Sequence, residues 1–128
     1  MEERGVPEEI GGLIPLLFTL VFLPGICVAV TRQAADGLMG MNSSAGIRTR
    51  HTKASDAAWT AGHRAALPMV KKMWPVAGVG ILAAVAVQFA AGGAWGIGAA
   101  FLALLAETAV LLRSAAAANR AARALGGI

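Results

Sequence analysis

The chain has 128 residues, of which 57% are hydrophobic and only 14% charged, where a soluble domain carries about 25% charged residues. With a mean hydropathy of +0.66, it lacks the polar side chains that an ordinary water-soluble domain needs to cover its core. The net charge of +4 does not make nucleic acid an expected partner, because the basic residues border apolar runs and form no soluble face with stacking aromatics.

The first segment, residues 1–9, holds Glu2, Glu3, Glu8 and Glu9 against Arg4 alone. Ile10 to Val30 then runs without a charge, and about 20 apolar residues cross a bilayer as a helix. The acidic flank has the wrong sign for a cleaved leader, and the apolar stretch is longer than a leader's. Ile26 before Cys27 also fits a lipoprotein site poorly, so the segment is read as a retained first span. Pro24 is expected to kink it and free the Leu20 carbonyl, a change that membrane helices tolerate. Cys27, the single cysteine, reads as a small apolar residue and makes no intramolecular disulfide.

Residues 31–74 form a basic loop that gathers most of the polar side chains between the spans. From 36 to 54 it carries Gly37, Gly40, Asn42, Ser43, Ser44 and Gly46 and reads as irregular. Ser55 or Asp56 can cap a helix there. On a helical wheel Trp59, Gly62, His63, Ala66, Val70, Met73 and Trp74 share one side, with Arg64, Lys71 and Lys72 on the other. That is the pattern of an amphipathic helix in the headgroup layer, basic face outward, kinked or restarted at Pro68. His63, on the apolar stripe, is expected to be packed and hydrogen-bonded to backbone. Trp59 and Trp74 suit an interface where the indole N–H stays wet.

Pro75 to Leu112 is too long for one crossing and breaks at Ala91-Gly92-Gly93. It is read as two spans, 76–91 (reaching back toward Met73) and 94–112, with Trp95 at the opposite interface. Both are rich in Gly and Ala, which permit the close backbone approach that pairs helices in lipid. An antiparallel hairpin is expected, completed by the first span into a three-helix bundle. The Ala-rich tail, 113–128, can continue the third helix. The fold class is therefore an all-α membrane protein with three transmembrane helices and an amphipathic interfacial helix between the first and second.

Three crossings put the loop and the tail on one side, and with them ten of the eleven Lys and Arg. The positive-inside rule makes that side cytoplasmic and the N-terminus extracellular.

Few residues suggest chemistry. Glu107 is the only carboxylate inside a span and so a functional candidate. It is expected in the inner half of the bilayer, level with Pro24. It is expected to pair with a loop cation such as Arg48 or Lys71, to work on a proton or ligand, with burial favouring its protonated form, or to be an acid tolerated at a lipid-facing or interfacial position. Gln88 lies near the outer end of its span, at the wrong depth to pair with it. Arg48 and Arg50, with Thr49 and Thr52, form a donor cluster suited to carboxylate or phosphate, and lipid phosphate is the simple partner. His51, His63 and Cys27 do not make a metal site with accepted spacing. Ser55, Asp56 and His63 are a weak triad, since Asp56 is better explained as a helix start and no oxyanion elbow is visible. No phosphate loop or dinucleotide fingerprint is present. Neither an enzyme nor a bound cofactor is expected.

The spacing Asn42-x3-Gly46-Ile47-Arg48-Thr49-x2-Thr52-x2-Ser55-Asp56-x2-Trp59, followed by a helical hairpin, resembles the SdpI family of small bacterial membrane proteins over residues 38–112. The resemblance makes Asn42, Gly46, Arg48, Thr49, Thr52 and Trp59 the family positions. Arg64, after His63, stands where relatives carry a basic residue after an Asn, a looser match. The family's namesake protects a producing cell from its own secreted killing factor and holds a repressor at the membrane. This chain is shorter, so the class transfers better than any particular toxin. The resemblance implies a bacterial inner-membrane protein of the immunity or signalling type that acts by binding. Its partners would be the lipid bilayer and a peptide toxin or a cytosolic regulator. The alternative is a small transporter or channel subunit that uses Glu107 and forms a homo-oligomer. For the motif itself, Gly46 is expected to allow a turn, Asn42 to close it, Arg48 to point to the membrane or Glu107, and Thr52 and Ser55 to cap the helix carrying Trp59.

Overall fold

The computed structural model describes residues 8–126, so the acidic stretch with Glu2, Glu3 and Arg4 lies outside the described residues. Four helices carry the fold: α1 (Glu8–Ala35), α2 (Asp56–Val70), α3 (Met73–Ala91) and α4 (Trp95–Gly126), with a short 3-10 turn at Thr52–Ala54. Among the described residues there is no strand. Three stretches are long and apolar enough to cross a membrane: Glu8–Ala35, Asp56–Ala91 (α2 and α3 counted together) and Trp95–Leu125.

α1 runs five residues past Val30, to Ala35. Gly37 stops it at φ 79°, with Leu38 N–H donating to Gln33 O at 2.9 Å and Gly37 N–H to Ala34 O at 3.2 Å. This pair of bonds satisfies the last carbonyls of the helix, and only glycine takes that backbone conformation cheaply. Hydroxyls within the helices bond to the preceding turn: Thr19 to Pro15 O at 2.8 Å, Thr31 to Cys27 O at 2.7 Å and Thr108 to Leu104 O at 2.9 Å. In lipid, where no water can serve them, this is the economical arrangement.

α3 and α4 form the expected hairpin around Gly92 and Gly93, whose φ values are 67° and 55°. Gln88 clamps the turn. Its Nε2 donates to Gly93 O and its Oε1 accepts from Gly96 N–H, both at 3.1 Å. Below the turn the helices touch through small residues: a Cβ on Gly80 would lie 2.5 Å from the Ala103 Cβ. Leu13 and Leu20 of α1 pack on Ala84, Ala100 and Ala103 to form one core cluster. The first span thus completes the bundle.

α4 decides where α2 sits. Its 32 residues reach about 48 Å, longer than the about 30 Å that a crossing of the hydrocarbon requires. α2 packs along its C-terminal turns: a Cβ on Gly62 would lie 3.1 Å from Ala118 O. Ala66 and Val70 join Val28, Met73 and Ala118 in a second core cluster. α4 is the shared partner of α1, α2 and α3.

Two expectations about α2 change. Its apolar stripe is spent on protein contacts: Trp59, Gly62, His63, Ala66, Val70 and Met73 are buried, while Trp74 remains exposed. The break also comes later than Pro68. The helix continues to Val70, Lys71 and Lys72 close it onto Leu67 O and Met69 O at 3.0 Å each, and α3 starts at Met73. Pro75 falls in the first turn of α3, where its missing N–H has no partner to lose.

Candidate functional site

The loop between α1 and α2 is a folded piece fixed to one end of the bundle. Its centre is Gly46, at φ 104°. A Cβ there would lie 2.8 and 2.9 Å from the Trp59 ring and 3.0 Å from His63 Nε2, so the position requires glycine twice over, for conformation and for space. The next residue, Ile47, donates its N–H to His63 Nε2 at 2.8 Å, and His63 Nδ1 lies 2.8 Å from Trp59 O. An accepting Nε2 leaves the proton on Nδ1, which donates to that carbonyl. His63 is therefore neutral and doubly engaged. Burial, the larger effect, lowers its pKa from the ordinary 6.5, and the Trp59 carbonyl opposes this. Trp59 is buried, its ring centroid 4.2 Å from that of His63. Its indole N–H donates to Met39 O at 2.8 Å, so it is bonded within the protein and not to interfacial water.

The threonines lock the second half of the loop. Thr49 N–H donates to Thr52 Oγ1 at 3.0 Å, Thr52 N–H to Thr49 Oγ1 at 3.2 Å, and Thr52 O–H to Ile47 O at 2.6 Å. Thr49 O–H donates to the side-chain oxygen of Asn119, tying the loop to α4. Thr52 thus holds the loop, while Ser55 alone caps α2, accepting from Ala58 N–H at 3.0 Å. Asp56 is the first residue of α2.

Arg48 does not reach Glu107. Its Nη1 donates to Met41 O at 2.8 Å and to Ser43 O, folding the loop's first half over its own carbonyls. Turn closure falls to Ser43, whose hydroxyl donates to Gly40 O at 2.8 Å. Asn42, expected to close the turn, is exposed, as are Arg50, Arg64 and Lys71.

A cleft of about 430 Å³ opens between α1, the loop and α4. Ile26, Cys27, Val30 and Thr31 of α1 form one wall, Leu111, Leu112 and Ala115 of α4 another, and Gly46, Arg48 and Thr49 the loop side. Four residues before Leu111, Glu107 is fully buried. Its two oxygens are the only buried side-chain polar atoms without a hydrogen-bond partner among the described residues. The expected pair with Arg48 or Lys71 is therefore not made: the loop carbonyls hold Arg48, and Lys71 faces solvent. Among the described residues no group of three His, Cys, Asp or Glu could hold a metal ion.

Sequence reasoning placed His63 on backbone correctly but gave it no part in the site. Its position one turn after Trp59 was the available signal. Asn119 was missed, because nothing in an Ala-rich tail marks one polar residue as facing a loop 70 positions away.

The family model of the SdpI/YfhL protein family matches residues 39–112, from the folded loop through the hairpin into α4. No curated protein and no solved structure matches the chain.

Proposed function

The chain belongs to the SdpI/YfhL protein family, and we propose that this multi-pass membrane protein acts by binding: it protects a bacterial inner membrane against a membrane-active peptide toxin, or senses one. What carries the reading is the cleft, whose loop wall is built from the family positions Gly46, Arg48 and Thr49. A wall held by glycine, His63 and paired threonines is preorganised, which lowers the ordering cost of binding. We place loop and tail in the cytoplasm and the N-terminus outside, from the ten basic residues on that side. α2 then lies at headgroup level, with Arg64, Lys71 and Lys72 available to lipid phosphate or a cytosolic regulator. Catalysis has no part in this reading.

Cells expressing the chain should survive a membrane-active peptide from its own genomic neighbourhood better than cells expressing Gly46→Trp. Equal killing for every peptide tried overturns immunity. In a Cys27→Ala background, an impermeant thiol reagent on intact cells should label a cysteine at Ala94 but not at Ser44 or Ala124. Labelling at Ser44 would turn the loop outward.

The unpartnered Glu107 favours a second reading, a homo-oligomeric transporter or channel subunit. Proton-linked flux in liposomes that vanishes in Glu107→Gln is its signature, and absence of flux at every pH refutes it.

A further inference from the structure

Among the described residues, Glu107 is the one buried side chain whose polar atoms find no partner. The buried hydroxyls of Thr31 and Ser114 each find a carbonyl, at 2.7 and 2.6 Å, while neither Glu107 oxygen finds any partner. A carboxyl group in an apolar interior is costly whether or not it is ionised, unless something hydrogen-bonds to it. The cleft borders the same face of α4. It is lined by Cys27 of α1 and Leu111 of α4, which pack against one core cluster, and Leu111 is one turn, about 6 Å, along α4 from Glu107. Ile26, Val30, Ile47 and Leu112 give the cleft apolar walls. The Glu107 carboxyl lies one turn behind its Leu111 end and the Arg48 guanidinium on its loop side. A group that donates hydrogen bonds suits the two unpartnered carboxyl oxygens, and a cationic donor gains a charge-assisted bond when the carboxyl is ionised.

We infer that the cleft takes an amine-bearing amphiphile, its ammonium group directed at Glu107 and its apolar part lying against Ile26, Val30 and Leu111. The inference rests on the binding reading of the cleft but not on toxin protection. Cells can go unprotected while a purified protein binds amines, and the reverse.

Cys27, half-buried in the cleft wall and the only cysteine, reports occupancy. The full chain in non-ionic detergent is labelled with N-ethylmaleimide, with dodecylammonium or with dodecanol, an uncharged molecule of the same length. Dodecylammonium should slow labelling about tenfold, the scale of a charge-assisted contact, and dodecanol should leave it unchanged. Glu107→Gln keeps the side chain's size and should abolish the dodecylammonium effect while keeping the wild-type elution profile. Equal protection by dodecanol, protection that survives Glu107→Gln, or no protection by dodecylammonium in the wild-type chain each overturns the inference. The dodecanol comparison uses the unaltered protein, so the test stands even if the variant folds poorly. An aminolipid and a lysine-bearing peptide share this chemistry. Slower labelling in phosphatidylethanolamine than in phosphatidylcholine nanodiscs assigns the site to lipid. Equal labelling, with protection by an added apolar lysine-bearing peptide, assigns it to peptide.

Discussion

Replacing Gly46 by alanine adds one methyl group, and its consequence can be worked from the surroundings. The new Cβ would lie 2.8 and 2.9 Å from the Trp59 ring and 3.0 Å from His63 Nε2, well inside contact distance. Neither ring is free to retreat: Trp59 is held by its bond to Met39 O at 2.8 Å, and His63 by Ile47 N–H and Trp59 O. A side chain at positive φ costs about 1–2 kcal/mol, and overpacking adds about 1–3 kcal/mol. Together, roughly 2–5 kcal/mol would raise the population of the opened loop about thirty-fold to a few thousand-fold. The readout is tryptic cleavage in detergent at Arg48, Arg50 and Lys53, whose side chains are exposed but whose backbone is held by the folded loop. Cleavage through local opening follows that population. Gly40→Ala is the control, because nothing lies within 4 Å of its Cβ position and its φ is not positive. If Gly46→Ala is cut no faster than Gly40→Ala, the loop is not held as described.

Acid should loosen the same loop. Because the folded-state pKa of His63 lies below its ordinary 6.5, its contribution is fully present above about pH 6.5 and is lost as pH falls through the folded value. Protonation would turn Nε2 from acceptor to donor against Ile47 N–H. Melting in detergent should fall on going from pH 8 to pH 5 more steeply for the wild-type chain than for His63→Gln, and parallel profiles would count against the neutral, accepting imidazole. Thr49→Ala and Asn119→Ala should each raise tryptic cleavage of the loop by about 1 kcal/mol of lost hydrogen bonding. The double variant should be no worse than Thr49→Ala alone, which also loses the Thr52 N–H bond, and simple additivity would sever the loop from α4. Gly80→Leu should lower the melting temperature, overpacking the α3–α4 contact by about 1–3 kcal/mol. Gly78→Leu, with nothing within 4 Å of its Cβ position, should not, and equal effects would refute the small-residue pairing.

Membership of the family could be read from the loop motif between Asn42 and Trp59, and three membrane-capable helices from composition and length, because lipid imposes both on each crossing segment. The Gly92-Gly93 turn was equally legible, since consecutive glycines with positive φ have few other uses. Assignments within the loop were read less well. Asn42 was given the turn closure that Ser43 performs, because both are short side chains able to bond nearby carbonyls. Arg48 was sent toward Glu107 on charge alone, yet carbonyls five and seven residues back lie within its reach and carry no sequence signature. The apolar stripe of α2 was visible, but a stripe does not say whether lipid or protein will cover it.

The sequence alone determined what each segment could be: which stretches are apolar and long enough to cross a membrane, and where a cap or glycine had to interrupt a helix. Those properties follow from transfer free energies and local backbone sterics, which act on neighbours in the chain. Only the tertiary structure decided that the C-terminal turns of α4 receive α2, that His63 and Asn119 clamp the loop, and that Glu107 is buried without a partner among the described residues. Those facts depend on the distances between helices that are remote in the chain.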